Sequence, residues 1–245
     1  NQINKINKMK KKALDLDEVV VRFYEKALTE VFNPHFGIDI KPDEWLSYNL
    51  GEVLTSLYPG KLKRPMTPDD FDCLLKKHTG NGFLESLDPV KGAIETIYML
   101  ESEGFDISYL TFRSTKFYKD PEGCTKRWME KYDLNPRKVY FTPNKSRKMD
   151  ELGINMIVED MPHAVLDIAN NKKVLLFSYP WNSKTEKDKL LDKRTMEEKY
   201  KLIDKIESNK NITRVYNWQE IYHHLSNSSS DISNFDRINT FDITD

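Results

Sequence analysis

Short apolar runs of strand length alternate along the chain with segments in which apolar residues fall at helical spacing. The apolar runs lie at about residues 12–16, 106–111, 139–141, 155–158 and 174–177. Helices are predicted at about residues 121–133, 144–152 and 162–169, and a further one is predicted from Pro89 to just before Gly104. Strands and helices in alternation predict an α/β domain with a parallel sheet and right-handed crossovers.

One long stretch interrupts this alternation, because its apolar residues follow helical spacing from residue 22 to residue 87. Prolines divide the stretch into short helices, at Pro34, Pro42, Pro59, Pro65 and Pro68. We therefore expect a helical cap at residues 22–87, inserted into a core formed by residues 12–21 and 88–225.

The two ends of the chain differ from the core in composition. Residues 1–11 are rich in Asn, Gln and Lys and are expected to form a flexible lead, in which residues 1–8 precede a plausible start at Met9. Residues 226–245 are rich in Ser, Asn and Asp, and they are expected to be disordered.

The cap is rich in aromatic residues, and most of these are expected to pack its own small core. Phe23, Trp45 and Phe83 are the candidates to face a cleft instead. Stacking of a nucleic-acid base on an aromatic side chain contributes roughly 1–3 kcal/mol, so such residues would favour a nucleotide as the ligand.

Composition and charge narrow the range of functions. The 245 residues are 38% hydrophobic and 31% charged, and the net charge of -1 provides no field that would attract nucleic acid. Cys73 and Cys124 do not form a disulfide framework, which indicates a reducing compartment. No apolar run approaches the ~18 residues of a membrane helix, and no secretory signal is visible. A cytoplasmic protein without a membrane or nucleic-acid partner is expected.

Polar residues follow the ends of three predicted strands. Asp15 and Asp17 follow the first, Thr111 ends the second, and Glu159 and Asp160 follow the strand at 155–158. Ligands of open α/β sheets bind beyond the carboxyl ends of the strands, so these side chains fit one shared site. In a continuing strand the two aspartates would share a face and could hold a cation between them. If the chain turns after Asp15, Asp17 can offer its backbone carbonyl instead, which leaves its side chain free for proton transfer.

Each of these residues also has an ordinary structural explanation, and so does Lys145, which lies in a basic cluster that opens a predicted helix at residues 144–152. Asp is common in turns, Thr111 could simply end a strand, Lys145 could be a surface lysine, and Asp160 could cap the helix that Pro162 opens. Their joint order along the chain argues against four separate coincidences.

The same four segments, in the same order, resemble the motifs of the haloacid-dehalogenase-like phosphatase superfamily. The segments are residues 13–19, residues 110–113, Lys145 and residues 157–160. This resemblance implies a three-layer Rossmann-like α/β fold with a helical cap inserted between the first and second motifs. It also implies hydrolysis of a phosphomonoester through an aspartyl-phosphate intermediate.

The resemblance assigns a role to each residue. Asp15 would be the nucleophile and Asp17 the acid and base. The phosphate would be held by Thr111, the backbone amide of Phe112, and Lys145. Mg²⁺ would be bound by Asp15, the Asp17 carbonyl and Asp160, with Glu159 acting through a water molecule.

A narrower resemblance concerns residues 82–93 and the Pro-aromatic-Asn turn at 180–182, which are similar to 5'(3')-deoxyribonucleotidases. It implies a Mg²⁺-dependent nucleotidase acting on deoxyribonucleoside monophosphates. Two positions depart from this branch: Glu18 stands where Gly is frequent, and Glu159 stands where Asp is frequent. Arg113 occupies a variable position and is a candidate substrate contact.

Two rival functions remain open at this point. The first is a phosphatase of the same superfamily that acts on a sugar phosphate or a phosphorylated nucleic-acid end. The second is a nucleotide-binding module that keeps the fold without turnover, although the intact Asp15 and Asp17 argue against it. A homodimer is compatible with the sequence.

Overall fold

The computed structural model describes residues 10–62, 64, 66–78 and 82–227. Within these residues six strands form one parallel sheet. The strands are β1 (Lys10–Leu14), β2 (Phe105–Thr111), β3 (Val139–Phe141), β4 (Met156–Glu159), β5 (Lys173–Phe177) and β6 (Ile212–Val215). Their order across the sheet is β3-β2-β1-β4-β5-β6, so the order reverses where β1 lies beside β4. A crevice for ligands forms at the carboxyl ends of the strands at such a point.

The central strands are apolar because both faces of the sheet are covered. Ala13 and Leu14 of β1, and Ile157 and Val158 of β4, have no exposed surface. Continuous apolar runs of this kind are typical of parallel strands buried on both sides. The first polar residues beyond these runs therefore emerge at the crevice.

Helices fill the chain between β1 and β2, as the pattern predicts. They are α1 (Phe23–Ala27), a π-helical turn (Leu28–Phe32), α2 (Asn33–Phe36), a 3₁₀ turn (Pro42–Glu44), α3 (Leu50–Leu57), α4 (Pro68–His78) and a second 3₁₀ turn (Leu84–Ser86). Phe32, Trp45 and Leu54 are fully buried among them. The assignment of residues 22–87 to a separate cap stays a prediction.

The remaining helices cover the two faces of the sheet. They are α5 (Ala93–Ser102), α6 (Pro121–Lys131), α7 (Lys145–Leu152), α8 (Pro162–Ile168), α9 (Lys193–Glu207) and α10 (Trp218–Asn227). Residues of α7, α8 and α9 share one hydrophobic cluster with β1 and β4, and residues of α5, α6 and α10 belong to a second cluster. The fold is thus a three-layer α/β sandwich with helices inserted after the first strand. Among the described helices, none combines the length and the apolar character needed to cross a membrane.

Two predicted boundaries at the start of elements are wrong. Strand β1 begins at Lys10 instead of residue 12, since Lys10 and Lys11 pair with Phe105 and Asp106, and the predicted lead is shorter by these residues. Residues 1–9 lie outside the described part. Helix α5 begins at Ala93 and not at Pro89, because Gly92 has a left-handed φ of 81° that ends the preceding turn.

The C-terminal region departs from the prediction in two further places. Strand β6 was not predicted, because its four residues, Ile-Thr-Arg-Val, follow a charged segment and include Arg214. Helix α10 extends through Asn227 and so includes the first residues of the predicted tail at 226–245, and residues 228–245 lie outside the described part.

Candidate active site

Four charged side chains meet at the carboxyl ends of β1 and β4, and we call them the strand-end cluster: Asp15, Lys145, Glu159 and Asp160. Asp15 is the first residue after β1, and its backbone N–H donates to the carbonyl of Val158 at 2.9 Å. Glu159 is the last residue of β4 and Asp160 the next one. The topology of the sheet therefore brings together carboxylates that are far apart in sequence.

Lys145 reaches this cluster from the first turn of α7. Its Nζ lies 2.6 Å from Asp15 Oδ1 and 2.6 Å from Glu159 Oε2. The helix start is fixed by Asn144, whose side chain accepts from the backbone N–H of Arg147. The lysine is thus held between two carboxylates, and its contact with phosphate stays a prediction.

The cluster carries more negative charge than Lys145 can balance. One carboxylate oxygen each from Asp15, Glu159 and Asp160 lies within 4.8 Å of the others. Burial raises the pKa of Asp15 to about 8, although Lys145 acts in the opposite direction. Burial and the charge of Glu159 raise the pKa of Asp160 well above its usual range. Burial acts to lower the pKa of Lys145, but its two carboxylate partners outweigh burial and raise that pKa, so the side chain stays an ammonium.

A hard divalent cation fits this arrangement, because every available donor is an oxygen and the carboxylates crowd one another. Both oxygens of Glu159 already have partners: Oε2 accepts from Lys145, and Oε1 accepts from the backbone N–H groups of Asp160 and Met161. Asp15 and Asp160 are therefore the residues better able to hold a metal directly, and the water-mediated role expected of Glu159 stays a prediction.

The Pro180–Asn182 turn supports Asp160 from behind. Trp181 Nε1 donates to Asp160 Oδ2 at 3.2 Å, and Asn182 Nδ2 donates to the Asp160 carbonyl at 2.8 Å. Asn182 also bonds the carbonyl of Phe177 at the end of β5. Groups behind a ligand fix its orientation, so this turn tethers Asp160 to the neighbouring strand.

The side chain of Asp17 does not join the strand-end cluster. It pairs instead with Arg113, whose Nη2 lies 2.6 Å from Asp17 Oδ1. Among the described residues, the carboxylates close enough to share a cation are those of Asp15, Glu159 and Asp160, so Asp17 could contribute only a backbone oxygen. The spacing allowed either a shared face for the two carboxylates or a turn that separates them. In the structure the carboxylates of Asp15 and Asp17 point to different partners, as the turn predicts.

The contacts of Glu18 explain why a glutamate can stand where related sequences often have glycine. Its φ of 61° lies in the left-handed region, which costs free energy for a residue with a side chain. The buried carboxylate accepts from the backbone N–H of Tyr24 at 2.8 Å and so caps the first turn of α1. The Tyr179 hydroxyl donates to the Glu18 carbonyl at 2.6 Å. The glutamate therefore links the loop after β1 to the first inserted helix, and its burial raises its pKa.

A cavity of about 460 Å³ opens above the cluster. Its floor includes Asp15, Asp17, Arg113, Lys145 and Asp160. The opposite side, which we call the cap wall, consists of residues from the inserted helices and the loops between them: Phe23, Tyr24, Tyr48, Asn49, Leu50, Gly51, Met66, Thr67, Phe71, Asp72 and Leu75. Phe112, Phe117 and Tyr118, which follow β2, line it at the side.

The predicted phosphate-binding residues differ in their access to this cavity. Lys145 and Phe112 line it, and the Phe112 residue is 48% exposed. Thr111 does not line it: the residue is 1% exposed, and its hydroxyl accepts from the backbone N–H of Arg113 at 3.3 Å. Thr111 itself does not line the cavity, although the next residue, Phe112, does, so the contact of Thr111 with phosphate stays a prediction.

The three aromatic candidates for substrate contact also differ. Phe23 lines the cavity, but Trp45 and Phe83 do not, so the structure does not bring these two candidates to the site. Trp45 has no exposed surface, and its ring packs against Tyr24 with a distance of 4.4 Å between the ring centroids. Phe83 packs against Phe23 with a centroid distance of 5.9 Å. Both take the structural role that was expected for most aromatic residues of the cap.

Several cavity residues were missed from the sequence. They are Tyr24, Tyr48, Asn49, Phe71, Asp72, Phe117 and Tyr118. Tyr24 follows a predicted residue, Phe23, directly, but adjacent positions on a helix point in different directions. No spacing signal distinguishes these residues from aromatic residues of the core.

Comparison with known protein families gives one match that spans most of the chain. The sequence model of the family described as 5' nucleotidase, deoxy (pyrimidine), cytosolic type C protein matches residues 12–208. No curated protein matches the chain.

Solved structures of similar fold are haloacid-dehalogenase-like hydrolases of low sequence identity. A family hydrolase from Deinococcus radiodurans superposes with a TM-score of 0.55 at 15% identity, covering 90% of this chain and 96% of its own. A conserved haloacid dehalogenase-like protein from Agrobacterium tumefaciens superposes with a TM-score of 0.57 at 12% identity, and the match covers 91% of this chain and 100% of that protein. A hydrolase from Pseudomonas syringae superposes with a TM-score of 0.51 at 12% identity, and the match covers 90% of this chain and 99% of that protein. At these identities the likeness establishes the fold.

Proposed function

Because the chain belongs to the cytosolic type C family of 5' deoxynucleotidases, we propose that it is a Mg²⁺-dependent phosphatase of nucleoside monophosphates. Membership of the family supports a phosphatase acting on small phosphate esters. The finer assignment to nucleotides, and within them to deoxyribonucleoside monophosphates, is our proposal. The observation that carries it is the strand-end cluster at the floor of a cavity whose cap wall contains four aromatic residues, Phe23, Tyr24, Tyr48 and Phe71.

In the proposed first step, a carboxylate oxygen of Asp15 attacks phosphorus while the bond from phosphorus to the leaving oxygen breaks. The proton of the Asp17 carboxyl passes to that oxygen, which yields the free alcohol and the Asp17 carboxylate. In the second step, water attacks phosphorus, its proton passes to Asp17, and the bond to Asp15 breaks. Inorganic phosphate is released and both aspartates return to their starting forms.

The charge of the transferring group needs positive partners. Lys145, 2.6 Å from Asp15, is placed to meet both the nucleophile and the phosphoryl oxygens. The backbone N–H of Phe112 and the Thr111 hydroxyl would hold the remaining oxygens. Charges and dipoles that are already in place before the reaction usually lower the barrier more than any other single effect.

Asp15 and Asp160, with the Asp17 carbonyl, would hold Mg²⁺, and Glu159 would orient a bound water. When bound, the ion would offset the repulsion between the carboxylates and an incoming phosphate dianion. The structurally similar Deinococcus radiodurans hydrolase was solved with bound phosphate and sodium, so a protein of this fold can bind both a phosphate and a cation.

The cap wall supports a nucleotide over a smaller ester. Tyr48 is 39% exposed and Phe23, Tyr24 and Phe71 line the same side of the cavity. A volume of about 460 Å³ is in the range of pockets for small-molecule ligands. Flat aromatic faces would stack a base without demanding one particular base.

The test is phosphate release from dUMP, dTMP, dGMP and a sugar phosphate, each with Mg²⁺, with EDTA, and with Mg²⁺ restored after EDTA. We expect release from the nucleotides, its loss with EDTA and its recovery with Mg²⁺. Faster release from the sugar phosphate would contradict the nucleotide assignment. No release from any substrate would contradict the enzymatic assignment and favour a binding module.

A further inference from the structure

Arg113 is a buried arginine whose guanidinium is committed to protein partners. Its Nε lies 3.1 Å from Asp17 Oδ2 and its Nη2 lies 2.6 Å from Asp17 Oδ1. Its Nη1 donates to Thr125 Oγ1 at 2.9 Å. The side chain is 1% exposed, whereas that of Asp17 is 28% exposed. The arginine thus lies behind the aspartate, which is the more accessible of the two.

This geometry differs from that of an arginine awaiting a phosphate. Each of its three guanidinium nitrogens has a protein acceptor, and two of them grip one carboxylate side by side. A planar fork of this kind matches a carboxylate and fixes its plane as well as its position. The torsion that rotates an aspartate carboxylate is otherwise broad, so a free Asp17 would sample many orientations.

We infer that Arg113 is a positioning residue, which acts through Asp17 by holding its carboxylate in the orientation needed for proton transfer. This inference rests on the proposed function, in which Asp17 exchanges a proton with the leaving oxygen and then with water. It replaces the expectation that Arg113 contacts the substrate.

Thr125 extends this support one layer further. It belongs to α6, has no exposed surface and holds the Nη1 end of the guanidinium. The start of α6 is fixed by Asp120, whose side chain accepts from the backbone N–H of Gly123. The chain Thr125–Arg113–Asp17 therefore connects a core helix to the cavity. Displacement by 1 Å of a group that takes part in the chemistry can cost about 10²-fold in rate, so such support has a measurable effect.

The test compares Arg113→Lys and Thr125→Val with a matched control, Arg127→Lys. Lysine keeps the charge at residue 113 but offers one point donor in place of a fork. Valine keeps the shape of Thr125 and removes its hydroxyl. Arg127 also grips carboxylates, those of Glu85 and Asp120, but its side chain is 52% exposed and it does not line the cavity.

Steady-state rates with dTMP give the first readout. Arg113→Lys is expected to lower kcat roughly 10²-fold, the lower end of what general acid–base catalysis contributes, with KM unchanged. Thr125→Val should lower kcat less and in the same direction, and Arg127→Lys should match the wild type. Circular dichroism and thermal unfolding verify that each variant is folded.

The first turnover gives a readout that a purely structural role would not produce. The nucleoside alkoxide needs a proton to leave, but 4-nitrophenolate leaves without one. With 4-nitrophenyl phosphate, Arg113→Lys should therefore release about one equivalent of 4-nitrophenolate rapidly, followed by slow hydrolysis of the aspartyl phosphate. With dTMP the first turnover itself should be slow.

The outcomes separate this inference from the proposed function. A wild-type protein that hydrolyses neither substrate would overturn both. An active wild type with Arg113→Lys equal to Arg127→Lys would overturn the inference alone. The same holds if Arg113→Lys slows the first turnover of both substrates equally, or if it raises KM with kcat unchanged.

Discussion

The strand-end cluster and the cap wall face each other across one cavity, and they are built on opposite principles. The cluster consists of buried charges held by short ionic contacts, such as the 2.6 Å distances from Lys145 to Asp15 and Glu159. The cap wall consists mainly of aromatic and aliphatic side chains on short helices and the loops between them. Removing a charge from the first leaves another charge unpaired, whereas trimming a ring from the second leaves only space.

This difference suggests a division of labour. Interactions that change during the reaction determine kcat, and interactions equally strong in the ground and transition states determine KM alone. The strand-end cluster is placed to determine kcat, and the cap wall is placed to determine KM. Substitutions on the two sides should therefore separate in their kinetic effects.

The largest effect is expected from Asp15→Asn, because the amide cannot form the covalent intermediate. Turnover of dTMP should fall on the order of 10⁴-fold or more, as for removal of a nucleophile elsewhere. Asp167→Asn, an exposed position on α8, serves as the control and should retain wild-type activity. Full activity of Asp15→Asn in a folded protein would contradict the proposed chemistry.

A smaller effect is expected from Asp160→Asn, which leaves the proposed nucleophile in place but removes a charge from the proposed metal site. The Mg²⁺ concentration for half-maximal activity should rise roughly 100-fold, at or above the range measured for groups that merely support a ligand. Titration of activity with Mg²⁺ measures this change. An unchanged Mg²⁺ requirement would exclude Asp160 as a ligand.

Trp181→Phe should have a milder effect on the same property. The substitution keeps a ring that can stack with Tyr179 but removes the indole N–H that donates to Asp160. We expect the half-saturating Mg²⁺ concentration to rise about 10-fold, with little change in KM for the nucleotide at saturating metal. If KM alone rises, Trp181 acts with the cap wall and not with the cluster.

The smallest effect is expected on the cap wall itself. Tyr48→Leu removes a ring that is 39% exposed, so a stacking loss near 1 kcal/mol should raise KM for dTMP about 5-fold with kcat unchanged. Tyr216→Leu removes a ring that is 64% exposed elsewhere and should change neither constant. A fall in kcat for Tyr48→Leu would break the division between the two sides.

The cluster could be predicted from the sequence because the topology of a parallel sheet places strand ends together. Asp15, Glu159 and Asp160 follow recognisable apolar runs. Lys145 opens the helix that follows a further apolar run, at residues 139–141. The orientation of Asp17 could not be predicted, since it depends on the turn at Glu18 and on Arg113, which lies 96 residues further along the chain. The position of Arg113 was identified, but its partner was not.

The cap wall could not be predicted, because short helices and 3₁₀ turns set the direction of each ring. Periodicity shows that Phe23 and Trp45 belong to apolar surfaces, but one faces the cavity and the other the interior. Strand β6 was missed since pairing with β5, and not its own composition, makes it a strand. The cytoplasmic location and the homodimer stay predictions.

The pairing of β1 with β4 has a consequence for how the protein is made. Ala13 aligns with Ile157 and Leu14 with Val158, so the two halves of the cluster meet only after a long loop has closed. Contacts between such distant segments slow folding and form late. A nascent chain that has not yet released residues 159 and 160 from the ribosome carries Asp15 without the carboxylates of Glu159 and Asp160, and such truncated chains should bind no Mg²⁺. The protein thus becomes competent for chemistry only after the strand that carries Glu159 has been synthesised.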